Sequence, residues 1–216
     1  MYKRQPLNDK EVERYISVKP SANQLALVDK PFYTFMHFGM NTATDREWGA
    51  GVEKATDFTI KSVNAKQWVE TAKSAGATGV ILTCKHHDGF CLWPSEYTSF
   101  CVKNSSYKGD IVKEVSDECH KQGMDFGVYL SPWDMHDERY GTDAYNDYFC
   151  NQLTELLTNY GEIFEVWFDG AKGSNAKKFE YDWQRYYDLI RKLQPKANIA
   201  ICGPDIRWVG NCLLYT

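Results

Sequence analysis

No stretch of this sequence approaches the roughly 18 consecutive apolar residues that a membrane-spanning helix needs. The opening Met1-Tyr2-Lys3-Arg4-Gln5-Pro6-Leu7 has no apolar core of the kind a secretory leader carries. The expectation is therefore a cytoplasmic protein with no membrane partner. Basic residues are not in excess: 25 Lys and Arg stand against 29 Asp and Glu, a net charge of -4. Neutralising phosphates requires a basic surface, so no nucleic-acid partner is expected. The cysteines, at 84, 91, 101, 119, 150, 202 and 212, are odd in number and form no C-x-x-C pair. That pattern fits reduced, buried thiols rather than a disulfide framework or a zinc site. No phosphate-binding glycine fingerprint follows any predicted strand, which argues against a dinucleotide-binding fold. A G-x-S-x-G elbow is absent and no cysteine has an electropositive setting, so nucleophilic hydrolysis by serine or cysteine has no support.

What the sequence has in quantity is aromatic side chains, 15% of its 216 residues, with 7 Trp and 14 Tyr. Such side chains suit a site for a ligand with flat apolar faces and hydroxyls. The length fits one domain with a real core. Residues 1–30 read as a polar, irregular N-terminal wrap broken by Pro6 and Pro20, and residues 31–216 as the main domain.

Within that domain strands and helices alternate. Phe32 to Gly39 reads as an aromatic strand, and a long loop follows from Met40 to Asn64. Asn64 and Gln67 have capping-box spacing at the start of a helix that Gly76 ends. Gly79 to Gly89 begins as a continuous apolar run, as a parallel strand buried on both faces does. Asp110 caps a second helix, Asp125 to Asp134 is a third strand and its exit, and Ala144 to Tyr160 is a helix. Glu162 to Gly170 is the fourth strand. By alternation, Phe164, Val166 and Phe168 share one face, and Glu165, Trp167 and Asp169 share the other. A helix carrying Trp183, Tyr187, Ile190 and Leu193 stops at Pro195, and Asn198 to Gly203 is the fifth strand.

Alternation of this kind implies right-handed βαβ units on a parallel sheet. Every strand ends in polar or aromatic side chains: His37; His86 and His87; Tyr129 and Trp133; Asp169; Asp205 and Arg207. Residues converging from several strand ends onto one rim mark a (β/α)8 barrel site. The predicted class is thus α/β, a TIM-like barrel truncated after about five βα units.

Adjacent histidines on a strand point to opposite faces unless the strand is already turning, so His86 and His87 do not predict a metal, and no cofactor is expected. Neutral imidazoles bonding a polar ligand fit better, with a purely structural role open for one of the two. A carboxylate at a strand tip among Trp, Tyr and His suits covalent glycoside hydrolysis. There a second carboxyl group about 5 Å away protonates the leaving oxygen. Glu47, Asp88, Asp134 and Asp205 are the acidic candidates near other strand ends, and the sequence does not choose among them.

His37-Phe38-Gly39-Met40-Asn41-Thr42, Arg46-Glu47-Trp48-Gly49, the run from Lys85 to Pro94, Tyr129 to Asp134 and Trp167-Phe168-Asp169-Gly170 closely resemble glycoside hydrolase family 29, the α-L-fucosidases. The match extends from about Pro20 to Asn211, with its motifs in order. It is most similar to the branch acting on α-1,3/1,4-linked fucose in branched glycans. The resemblance implies a retaining exo-α-L-fucosidase on a (β/α)8 barrel, with a fucosylated glycan as substrate and Asp169 as catalytic nucleophile. It implies that His37, His86, His87 and Tyr129 bond the sugar hydroxyls, that Trp48, Trp167 and Trp133 shape the apolar sides of the pocket, and that Glu47 lies on its rim. Trp133, next to a proline, reads equally as a loop anchor. Arg207 reads either as orienting a carboxylate or as a surface residue.

The sequence departs from the family pattern at its end. Glu, the expected acid/base, should follow Val209-Gly210-Asn211, where Cys212 stands. The expectation is a truncated form of low or no activity. The alternatives are a non-catalytic fucose-binding module and a related barrel glycosidase acting on sulfated fucans.

Overall fold

The computed structural model describes residues 8–173, 179–201 and 203–208. Five strands, β1 (Thr34–Met36), β2 (Gly79–Lys85), β3 (Asp125–Leu130), β4 (Glu165–Trp167) and β5 (Asn198–Ala200), pair in that order, every pair parallel. Helices α4 (Ala65–Ser74), α5 (Ile111–Lys121), α6 (Ala144–Asn159) and α7 (Trp183–Leu193) separate successive strands from β1 onward. This is the architecture of the first five units of a (β/α)8 barrel, as the alternation predicted.

Local chemistry explains the boundaries. Asn64, Asp110 and Asp182 each accept a bond from the backbone N–H three residues on, satisfying a donor the helix leaves free. The predicted capping box at Asn64 is only half formed, because the Gln67 side chain bonds Thr71 Oγ1 instead. Strand β2 is buried along its whole length, consistent with cover on both faces.

Two expectations are corrected. The N-terminal segment is not irregular: it forms α1 (Asp9–Ile16) and α2 (Ala22–Val28), each with a complete capping box, Asn8 with Glu11 and Ser21 with Gln24. Helix α2 reaches the far edge of the sheet, where Asn23 Nδ2 donates to the Pro195 carbonyl at 2.9 Å and Gln24 Nε2 to the Asp205 carbonyl at 2.7 Å. The loop after β1 also contains a short helix, α3 (Met40–Thr44).

The second correction concerns Phe164. Val166 and Phe168 do join the large core between sheet and helices, alongside Val80, Leu82, Val128 and Ile199. Phe164 instead packs on the opposite side with Ile81 and Tyr129, where Leu27, Tyr33 and Trp167 close over it. The alternation carries on through Phe168, one residue past β4, but does not reach back to Phe164, which precedes the strand's first residue, Glu165. Space for its ring comes from two glycines: a Cβ on Gly127 would lie 2.9 Å from Phe164 Cε1, and one on Gly79 3.3 Å from the same atom.

Glu165 lies wholly buried, and neither carboxylate oxygen has a formed hydrogen bond. Burial pushes its carboxyl up to about 7, and the Tyr33 hydroxyl offsets only part of that at a geometry too poor for a true bond. Among the described residues no helix is long and apolar enough to cross a membrane.

Candidate active site

The site forms at the C-terminal ends of the strands. Strand β2 carries an irregularity: Thr83 pairs with Tyr129 but Lys85 with Leu130, so two steps on β2 match one on β3. Bulges of this kind re-aim side chains beside active sites. The strand then ends at Lys85, and His86 and His87 stack with ring centroids 4.1 Å apart instead of pointing to opposite faces. The two histidines therefore share one side of the site. One ring nitrogen of each and an Asp169 carboxylate oxygen all lie within 4.8 Å of one another.

Asp169 stands two residues past β4, partly open to solvent. Tyr129 Oη donates to its Oδ2 at 2.9 Å, and His87 Nε2 lies 3.8 Å from its Oδ1. Burial and the adjacent carboxylate push the Tyr129 phenol well above its ordinary range, so it remains a donor at any physiological pH. Tyr129 is in turn stacked on Trp167, at a centroid distance of 5.3 Å.

The three histidines are neutral near pH 7. Burial, reinforced by the neighbouring His87 and His37, pushes His86 down to about 3. Burial lowers His87 as well, although Asp169 works in the opposite direction. The His37 ring meets His86 edge-on at 4.6 Å; burial lowers its pKa too, against the same pull from Asp169. Thr83 fixes the chain around His37 by donating to the Phe38 carbonyl and accepting from the Phe38 N–H.

The aromatic wall is continuous. Trp133 lies 4.7 Å from His87 and 5.8 Å from Trp48, which places it at the site and not merely at a loop anchor. Trp48 itself is 55% exposed. His37, Asn41, Asp45, Glu47, Trp48 and His86 line a cleft of about 670 Å³.

Of the four acidic candidates, only Glu47 faces this cleft. Asp88 is sealed at 1% exposure and burial pushes it up to about 7, with the Phe90 N–H opposing and the Asp134 and Glu53 charges adding to the rise. Asp134 forms a buried ion pair with Lys85 at 3.0 Å. Asp205 is held by Arg191 and accepts from the Ile199 N–H at 2.8 Å, so it fastens β5 rather than serving chemistry. Arg207 is exposed and makes no ion pair among the described residues. Cys202, Cys212 and the Val209-Gly210-Asn211 stretch, with the expected acid position, lie outside the described residues.

Three residues at the site were not expected. Asn41 contacts His86, Ser131 contacts His87, and Trp208 packs 5.5 Å from Trp167. Asn41 and Ser131 both lie inside motifs quoted for the resemblance, but their partners depend on how the strand exits fold against one another.

Comparison with known proteins bears on this constellation. A family model described as alpha-L-fucosidase matches residues 30–212. Alpha-L-fucosidase 1 of Arabidopsis thaliana is 50% identical over 197 residues, covering 89% of this chain and 39% of that protein. A glycoside hydrolase 29 family member from an unknown rumen bacterium superposes with a TM-score of 0.84 at 48% identity, over 89% of this chain and 38% of that one. A Ruminococcus gnavus GH29 fucosidase in complex with fucose gives 0.81 at 37% identity, over 89% and 45%. The chain spans about two-fifths of the length of two curated relatives it matches, those of Arabidopsis thaliana and Oryza sativa.

Proposed function

We propose, since this chain belongs to the α-L-fucosidase family, that its strand-end site binds terminal α-linked L-fucose and serves a retaining exo-α-L-fucosidase in which Asp169 is the nucleophile. The observation that carries this reading is the surround of Asp169: a partly open carboxylate bonded by Tyr129 and faced by His87, beside neutral imidazoles and a tryptophan wall. A carboxylate so placed attacks the anomeric carbon as the aglycone oxygen leaves, giving a covalent fucosyl ester that water then hydrolyses. The neutral imidazoles bind hydroxyls without adding charge that would oppose the developing oxocarbenium ion. Trp48, Trp133 and Trp167 supply the apolar face of the sugar with its contact surface. Glu47, which lines the neighbouring cleft with His37 and His86, is assigned to the rim in this reading.

Cleavage of an unactivated glycoside also needs a proton donor, whose contribution is about 10²- to 10⁴-fold. Cys212 stands where the family pattern places Glu, so this reading assigns no proton donor at that position.

The test separates binding from chemistry. Calorimetric titration with L-fucose reads the pocket. Incubation with an aryl 2-deoxy-2-fluoro-α-L-fucoside carrying a good leaving group, followed by peptide mass spectrometry, reads the nucleophile, because departure of that group needs no acid. The expected result is a fluorofucosyl adduct on the peptide containing Asp169, absent in Asp169→Ala. Binding of L-fucose with no adduct, or an adduct on another residue, refutes Asp169 as nucleophile and favours a non-catalytic fucose-binding module.

A further inference from the structure

We infer that Asn41 and Ser131 are positioning residues that lock His86 and His87 in opposite tautomers, so that the stacked pair presents one N–H donor and one bare acceptor nitrogen to a single sugar hydroxyl beside Asp169.

The number of available hydrogens fixes the tautomer of His87. Ser131 Oγ lies 2.7 Å from the Trp133 carbonyl and 2.7 Å from His87 Nδ1. A carbonyl oxygen can only accept, so the one hydroxyl hydrogen of Ser131 goes to Trp133. The oxygen must then accept from His87, which places the imidazole proton on Nδ1. In a neutral ring Nε2 is left bare, and this is the atom 3.8 Å from Asp169 Oδ1. Facing a carboxylate oxygen that carries no hydrogen, the bare Nε2 lacks a donor there, and a sugar hydroxyl supplies one.

His86 is the reverse case. Asn41 Nδ2 lies 3.3 Å from the Glu47 carbonyl and 3.1 Å from His86 Nδ1. An amide NH₂ with two hydrogens satisfies both acceptors. The inverted amide would set Oδ1 against the Glu47 carbonyl; the orientation adopted leaves that oxygen without a partner instead. His86 Nδ1 therefore accepts, and the proton of this neutral ring sits on Nε2.

A hydroxyl group both gives and takes a hydrogen bond. Two rings 4.1 Å apart with opposite tautomers offer it both halves, whereas two identical tautomers would leave one half unmatched. Recognition of this kind rejects a ligand lacking the hydroxyl, because the buried nitrogens would lose their partners.

The inference rests on the sugar-site reading of this pocket, and its test is independent of that reading. The chain labelled with ¹⁵N-histidine is examined by long-range ¹H–¹⁵N correlation near neutral pH, a measurement that reports which nitrogen of each ring carries the proton. The expected spectrum has one ring protonated at Nε2, lost in His86→Gln, and one protonated at Nδ1, lost in His87→Gln. Ser131→Ala should move His87 to the Nε2–H form and leave His86 unchanged. Asn41→Asp, a near-isosteric change that offers only acceptors, should invert His86 alone. Ser131→Ala should also weaken L-fucose binding about tenfold, the loss of one hydrogen bond within the site. The same tautomer on both rings, a Ser131→Ala spectrum identical to that of the parent, or a parent spectrum without two distinct imidazole tautomers overturns the inference. Opposite tautomers in a chain that does not bind L-fucose uphold the lock and refute the fucose reading.

Discussion

Lys85 is fully buried, and its ammonium is held by Asp134 Oδ2 at 3.0 Å, Gln152 Oε1 at 2.9 Å and Tyr145 Oη at 3.4 Å, inside a cage of three aromatic rings. Asp134 Oδ1 accepts from the His136 and Asp137 N–H groups, so this one carboxylate organises the exit of β3 on which Trp133 sits. Lys85→Met removes the charge while keeping the volume, and leaves Asp134 as a buried anion without its cation. Breaking a buried pair from one side costs about 3–5 kcal/mol, a large part of the about 5–15 kcal/mol that holds a domain folded. Asp134→Asn in the same chain removes the stranded charge and keeps the acceptor for the two N–H groups. The double variant should therefore recover about 2 kcal/mol relative to the sum of the two single changes, well beyond the roughly 0.5 kcal/mol scatter of independent sites. Urea unfolding followed by tryptophan fluorescence measures all four corners of the cycle. Additive losses would falsify the view that the cost of Lys85→Met is the uncompensated charge, and would assign it to packing alone.

Other expectations are equally open to measurement. Glu165 titrates at about 7 in the folded chain against 4.5 unfolded, so between those values the folded state keeps a proton that the unfolded state has lost, and stability falls as pH rises through the window. Glu165→Gln should remove about 3 kcal/mol of that fall; an unchanged difference between urea midpoints at about pH 5 and about pH 8 would count against the orphaned carboxylate. Gly127→Ala should cost about 1–3 kcal/mol by crowding Phe164, and Phe164→Leu should return part of it if the ring, rather than the Glu165 carbonyl at 3.0 Å, is the limiting contact; thermal melts of the pair decide. L-fucose affinity, which needs neutral imidazoles, should fall off only at a pH below the ordinary histidine range. A loss of affinity centred near 6.5 in titration calorimetry would show that burial does not hold these rings neutral.

Much of the architecture was legible because its signals are local. The capping side chains of Asn64 and Asp110, the apolar run of β2 and the turn after Asp169 each depend on a few neighbouring residues. The alternation of strands and helices then leaves little choice of topology. Helices α1 and α2 were missed although both carry capping boxes, since their polar composition and the nearby prolines outweighed a four-residue signal. Phe164 was misplaced because the two-residue period was extended past the point where β4 begins. Asp205 was read as a possible acid because a strand-tip carboxylate looks the same in sequence whether it faces a cleft or an arginine.

The sequence by itself determined the parallel α/β scaffold, the family, and the set of side chains gathered at one rim, with Asp169 among them. Tertiary structure alone decided what those side chains do for one another. The bulge and early end of β2 turned His86 and His87 onto one side, packing sealed Asp88 and Asp134 away from the cleft, and contacts between separate strand exits brought Asn41 to His86 and Ser131 to His87. The physical reason is distance along the chain. Caps and periodicities act over three or four residues, whereas a proton's position on an imidazole is set by a partner 44 or 45 residues away.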